Sequence, residues 1–349
     1  MRQPPATSPV HLTGQSFARV HESYKGALMR TRLSQAVRAG AAGLAVTALL
    51  GCSQFSGLKA KMALKDANAA YGANDYRKAI PKYEEAISLD PSLTQAYFYV
   101  ANSYDNLYKP AKKGQPANDQ LLTKAIEGYK AAAEKSADPK LKKLSLEYLV
   151  AAYRDKLEDP SQAEPVVERM IKMEPNEPTN YFALAKIYED AGKYEEAEAT
   201  LLKAREARPN DPTVYMQMAG FYNRQGQFDK TIESLEQRAS REPNNPESYY
   251  TISTYYWDKA FRDFRLKEPE KREYVQKGIE ASDRALKIKS DYMEAIVYKG
   301  LLLRLAANLE KDRGRQEQYL KEADQLRDKA KALQKAKSAG AGAGTGAGN

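Results

Sequence analysis

The chain has 349 residues, 42% of them hydrophobic, enough to bury the core of one or two domains and too many for a disordered chain. Its net charge of +9 is unevenly placed: Arg2, Arg19, Lys25, Arg30, Arg32 and Arg38 against Glu22 put +5 in the first 51 residues, and the mixed surface of the remainder shows no basic stripe for nucleic acid. His11, His21 and Cys52 are the only histidines and cysteine, so residues beyond 52 offer no Ser/His/Asp or Cys/His catalysis, no Cys/His zinc site and no disulfide; only carboxylate chemistry stays open.

Residues 39–50 are uncharged and apolar, with Arg30, Arg32 and Arg38 before them. As a helix they would rise about 18 Å, short of a hydrocarbon core of about 30 Å, so they read as the apolar region of an export signal behind a basic flank. The Leu49-Leu50-Gly51-Cys52 that follows resembles the lipobox of bacterial lipoproteins, although Leu50 stands where Ala or Ser is commoner. That resemblance implies cleavage before Cys52, acylation of Cys52 as the lipid attachment and, with Ser53 rather than Asp beside it, delivery to the periplasmic side of the outer membrane. Residues 1–28, polar and carrying Pro4, Pro5 and Pro9, are expected to be a leader or a mis-called start; counted from Met29, Cys52 is residue 24, a usual signal length. The expected division is leader 1–28, signal 29–51, linker 52–60, a helical array 61–336 and a Gly/Ala-rich disordered tail 337–349.

From there a repeated spacing takes over. Ala67, Tyr76, Ala79, Tyr83, Ala86 and Pro91 form a first unit, and Tyr97, Val100, Ala101 and Tyr104 open a second. Leu146, Leu149, Tyr153, Ala163 and Pro175 match as a third only if one residue is inserted near Asp159-Pro160. The fourth is the clearest: Tyr181, Leu184, Ala185, Tyr188, Gly192, Tyr194, Ala197, Leu201, Ala204, Pro209. Thirty-four residues on, the same pattern returns as Tyr215, Met218, Ala219, Tyr222, Gly226, Phe228, Thr231, Leu235, Arg238, Pro243, and again as Tyr249, Ile252, Ser253 and Tyr256 before the spacing breaks. A seventh unit starts at Met293 and runs through Gly300, Leu303, Tyr319, Ala323 and Ala330.

Each position has a physical reason. Small residues let helices approach closely and aromatics fill the space between them. Gly192 and Gly226 suit a left-handed helix end, and the prolines stop the second helix of each unit. Insertions of about 11 to 13 residues in the second, sixth and seventh units keep helical apolar spacing, as in Trp257, Ala260, Phe261 and Phe264, and are expected to lengthen helices.

The pattern resembles the tetratricopeptide repeat family over nearly all of the chain after Cys52. That implies an all-α fold, a right-handed α-solenoid of about seven helix pairs, and a non-enzymatic scaffold with no cofactor or metal. In that family the first helix of each pair lines a concave groove through positions 2, 5, 9, 12 and 13. Carried over, the groove would hold Phe98 and Asn102, then Phe182 and Lys186, then Met216 and Arg224, then Tyr250 and Trp257, as the site for a protein or peptide partner. The two-carboxylate clamp of chaperone adaptors is not matched, since only Asn68 of its residues is present. Two other readings stay open: a carboxylate-dependent cell-wall glycan enzyme, and a cytoplasmic regulator if the apolar stretch is no signal.

Overall fold

The computed structural model describes the backbone of residues 47–343 and the side-chain surroundings of residues 56–338. The expected leader, most of the expected signal and the surroundings of Cys52 lie outside those bounds. The chain divides into two units, Met1–Phe55 and Ser56–Asn349, and the packed helical array belongs to the second.

The described residues form fourteen α-helices and no strand. They pack as seven consecutive pairs: α1 (Thr47–Gly72) with α2 (Tyr76–Leu89), α3 (Thr94–Leu107) with α4 (Pro116–Lys135), α5 (Pro139–Ala151) with α6 (Pro160–Met173), α7 (Pro178–Asp190) with α8 (Tyr194–Ala207), α9 (Pro212–Arg224) with α10 (Phe228–Arg241), α11 (Pro246–Arg262) with α12 (Glu268–Ile288), and α13 (Met293–Leu309) with α14 (Arg313–Ala343). This is an α-solenoid, as the repeat spacing predicts. Its core is a succession of four apolar clusters along the chain, from Ala63–Ile187 to Ala260–Ala323, each built from neighbouring pairs. Contacts between near neighbours make such an array quasi-one-dimensional.

Local sequence sets the helix limits. Asp138, Glu177, Asp211 and Asn245 each accept a hydrogen bond from the second residue of the following helix, and a proline occupies the first turn in all four. The cap satisfies one orphan N–H and proline supplies a helical φ where no donor is needed. Between the helices of a pair the chain turns through a left-handed residue at one repeat position: Asn74, Glu158, Gly192 and Gly226 have φ of 59°, 60°, 74° and 70°.

The one-residue insertion of the third pair lies earlier than its expected place at Asp159-Pro160. It is absorbed by a π-helical turn over Ala152–Leu157, and Asp159 N–H donates to Tyr153 C=O at 2.9 Å. A widened turn accommodates one extra residue while keeping Tyr153 in the core, 3% exposed. The longer insertions lengthen helices: α4, α12 and α14 have 20, 21 and 31 residues against 14 for α8 and α10. Two boundaries differ from the expected division. The linker over 52–60 is part of α1, and α14 continues through Ala343 where a tail was expected from 337. Neither stretch contains proline, which would break a helix.

A clamp absent from the repeat spacing recurs at three junctions. Tyr222 Oη donates to Glu198 at 2.8 Å, Lys230 pairs with the same carboxylate at 2.8 Å, and its ammonium sits 5.0 Å over the Tyr222 ring. Tyr188, Glu164 and Lys193 repeat the arrangement, as do Tyr104, Glu84 and Lys124. Each tyrosine thus ties its own pair to the second helix of the preceding one.

Candidate partner-binding face

The first helices present positions 5, 9, 12 and 13 on one stripe, because these spacings fall within one face of a 3.6-residue turn. In the second pair this stripe is closed. Phe98 and Asn102, expected to line the groove, are 4% and 6% exposed and belong to the core. Phe98 lies 5.4 to 5.7 Å from the rings of Tyr99, Tyr129 and Tyr148. Asn102 accepts from Tyr71 Oη at 2.7 Å and donates to Tyr129 Oη at 3.2 Å. Tyr129 also donates to Asp105, which is held by Lys156 at 2.5 Å. Large tyrosines from α1, α4 and α5 fill the space in front of both residues, and burial pushes the Tyr71 and Tyr129 phenols well up. These two residues hold pairs one to three together and leave no room for a ligand.

In pairs four to seven the stripe stays accessible. Phe182 is half-buried on α7, and Met216 on α9 is 38% exposed, its sulfur 3.5 Å from Nη1 of the buried Arg238. Tyr250 and Trp257 on α11 are half-buried and joined through α13. The Tyr250 ring meets Tyr298 edge-on at 5.4 Å, and Tyr298 meets Trp257 edge-on at 5.5 Å. Trp257 stacks on Phe261 at 5.0 Å and 11°, so the lengthened part of α11 covers one face of the indole. Phe261 itself is 58% exposed. Burial, with the neighbouring Tyr298 and Tyr292, raises the Tyr250 phenol to about 12, so it is neutral at any physiological pH.

The expected rim charges are neutralised within the chain. Arg224 makes a two-point contact with Glu189 at 2.6 and 2.8 Å, Lys186 pairs with Asp190 at 2.5 Å, and Asp258 pairs with Arg262 at 2.5 Å. Residues not anticipated from sequence extend the strip into the seventh pair: Val297 and Leu301 are 42% and 36% exposed. Their signal was Gly300, which as the small residue at position 8 puts Val297 at 5 and Leu301 at 9. Among the described residues no group of three or more His, Cys, Asp or Glu could hold a metal ion, and no helix is long and apolar enough to cross a membrane.

Two tetratricopeptide repeat family models match the chain, one over residues 64–139 and one over 156–220. Both stretches are tetratricopeptide repeats. Among solved structures it is similar to the C-terminal part of a repeat-containing protein from Cytophaga hutchinsonii, at 18% identity over 77% of this chain and 98% of that one, with a TM-score of 0.49. It is also similar to PilW, a type IV pilus biogenesis factor, at 17% identity over 68% and 96% of the two chains with a TM-score of 0.38. A third is YrrB, described as having an unusual peptide-binding site, at 19% identity over 52% and 85% with a TM-score of 0.37. No curated protein sequence matches. Repeats of this family are protein-interaction scaffolds.

Proposed function

We propose that the chain is a non-enzymatic scaffold, tethered by acyl groups on Cys52 to the periplasmic face of a bacterial outer membrane, that holds a protein or peptide partner along the first-helix face of pairs four to seven. The observation that carries the binding face is the aromatic strip Tyr250, Tyr298, Trp257 and Phe261, continued by the exposed Val297 and Leu301. With its flanking charges already paired, the strip favours a partner offering apolar side chains, and such anchors carry most of the affinity of an interface. The lipid tether rests on Leu49–Cys52 behind a short apolar stretch. Stable anchoring takes more than one acyl chain.

The test is chemical crosslinking and pull-down from membranes with the intact chain. Trp257→Ala and Tyr250→Ala should each weaken capture of the partner by about thirtyfold, the loss of an anchor worth about 2 kcal/mol. Capture unchanged in both variants would displace the site from this face. Mass spectrometry of the mature chain should find Cys52 as an acylated N-terminus; an unmodified chain retaining residues 30–51 would remove the tether.

A further inference from the structure

A cavity of about 330 Å³ opens between α6, α7 and α8, and it shares no residue with the aromatic strip. Its apolar lining is Ile171, Tyr181, Leu184, Tyr188 and Ala199. The volume is at the small end of ligand pockets, roughly 300 to 1,000 Å³, and suits a single side chain.

The repeat itself shows what fills this space elsewhere. On α8 the stripe facing the cavity is Glu196, Ala199, Thr200 and Lys203, and its next member is Ala207. Thirty-four residues on, α10 carries Lys230, Glu233, Ser234, Gln237 and then Arg241. The Arg241 guanidinium lies 3.9 Å from the centre of the Tyr215 ring, with Nε donating to Pro209 C=O at 2.8 Å and Nη1 to Gln237 C=O at 2.8 Å. Tyr181 is the counterpart of Tyr215: both hydroxyls donate to the carbonyl of the proline six residues earlier, at 2.9 and 2.7 Å. Alanine in place of Arg241 and of Glu233 therefore leaves, beside Tyr181, the room that a guanidinium takes up beside Tyr215.

The charges around the cavity suit the same occupant. Glu168 and Glu196 line it and form no ion pair among the described residues. Tyr188 reports their field: burial, the hydrogen bond to Glu164 and the charges of Glu164, Glu168 and Glu196 push its phenol up to about 12. Lys172 and Lys203 also line the cavity, and their flexible stems allow the ammonium groups to stay in water.

We propose that this cavity receives an arginine side chain of a partner protein, its guanidinium stacked on Tyr181 and its charge met by Glu168 and Glu196. Arginine is favoured over lysine because a planar, weakly hydrated guanidinium both stacks on an aromatic face and bonds carboxylates in the same plane. This site shares no residue with the aromatic strip: one partner would touch the array at two places, or two partners would share it.

Ligand-observed NMR titration of the full chain with acetyl-arginine amide tests this, with acetyl-lysine, acetyl-norleucine and acetyl-glutamate amides as comparisons. The arginine amide should bind tightest, Glu196→Gln should weaken it about tenfold, and Tyr250→Ala should leave it unchanged. Ala207→Arg, which supplies the guanidinium from within, should abolish binding and raise the melting temperature. Equal binding of arginine and norleucine amides, a preference for the glutamate amide, or arginine binding indifferent to Glu196→Gln would each overturn the assignment. Should Ala207→Arg fail to fold by circular dichroism, the ligand series and Glu196→Gln decide alone.

Discussion

At the third repeat position of pairs two, three, five, six and seven the side chain is fully enclosed: Ala96, Ser145, Val214, Ser248 and Ala295 are all 0% exposed. The serines satisfy themselves, Ser145 on Leu141 C=O and Ser248 on Glu242, but Asn180 at the same position leaves its Nδ2 buried without a partner. An unmet buried donor costs about 1 to 3 kcal/mol. Asn180→Val, which copies Val214, is therefore expected to stabilise the chain by about 1 kcal/mol, read as a higher urea midpoint; a lower midpoint would show that the amide is bonded in solution. Gly226 presents the opposite case. Its φ is +70° and nothing lies within 4 Å of a Cβ placed there, so Gly226→Ala tests backbone conformation alone. A left-handed alanine should cost about 1 kcal/mol in the same assay, and no loss would mean that the turn readily adopts another shape.

Helix pairs approach as closely as their smallest residues permit. A Cβ on Gly128 of α4 would come within 2.7 Å of Ala101 Cβ on α3, and Ala101, Ala185 and Ala219 occupy position 8 of the second, fourth and fifth units at 0%, 4% and 0% exposure. Ala219→Leu adds three carbons where α9 meets the Ala219–Ala281 cluster and is expected to destabilise by about 1 to 3 kcal/mol. Thermal unfolding checks this, and an unchanged melting temperature would place Ala219 at some other repeat position. Small residues at this position were legible in the sequence because a close helix contact admits little else. The Tyr, Glu and Lys clamps were not: Glu198 is one of 46 acids, and only the packing of α8 against α9 and α10 brings it to Tyr222 and Lys230.

Across the whole array the buried tyrosines give the molecule an alkaline limit. Burial raises the phenols of Tyr71, Tyr83 and Tyr222 far up, and those of Tyr188 and Tyr250 to about 12, from an ordinary 10.0. A raised folded value means that the folded state holds the proton more tightly, so this stabilisation is complete below pH 10 and is lost as pH rises through the folded values. Tyrosinate absorbance should therefore lag behind pH 10 and then rise together with loss of far-UV circular dichroism; full ionisation at ordinary pH with helices intact would contradict the burial. By itself the sequence determined the helical class, the 34-residue period from Tyr181 to Tyr256 and the register of Phe182, Met216 and Tyr250. It could do so because every unit must meet the same neighbours, which repeats the same size requirements along the chain. Only the tertiary structure decided which groove positions stay open. Phe98 and Asn102 are sealed by tyrosines brought from α1, α4 and α5, whereas Trp257 joins Tyr298 across α11 and α13. Those outcomes depend on side chains 27 to 50 residues away in the chain, which no single repeat's spacing encodes.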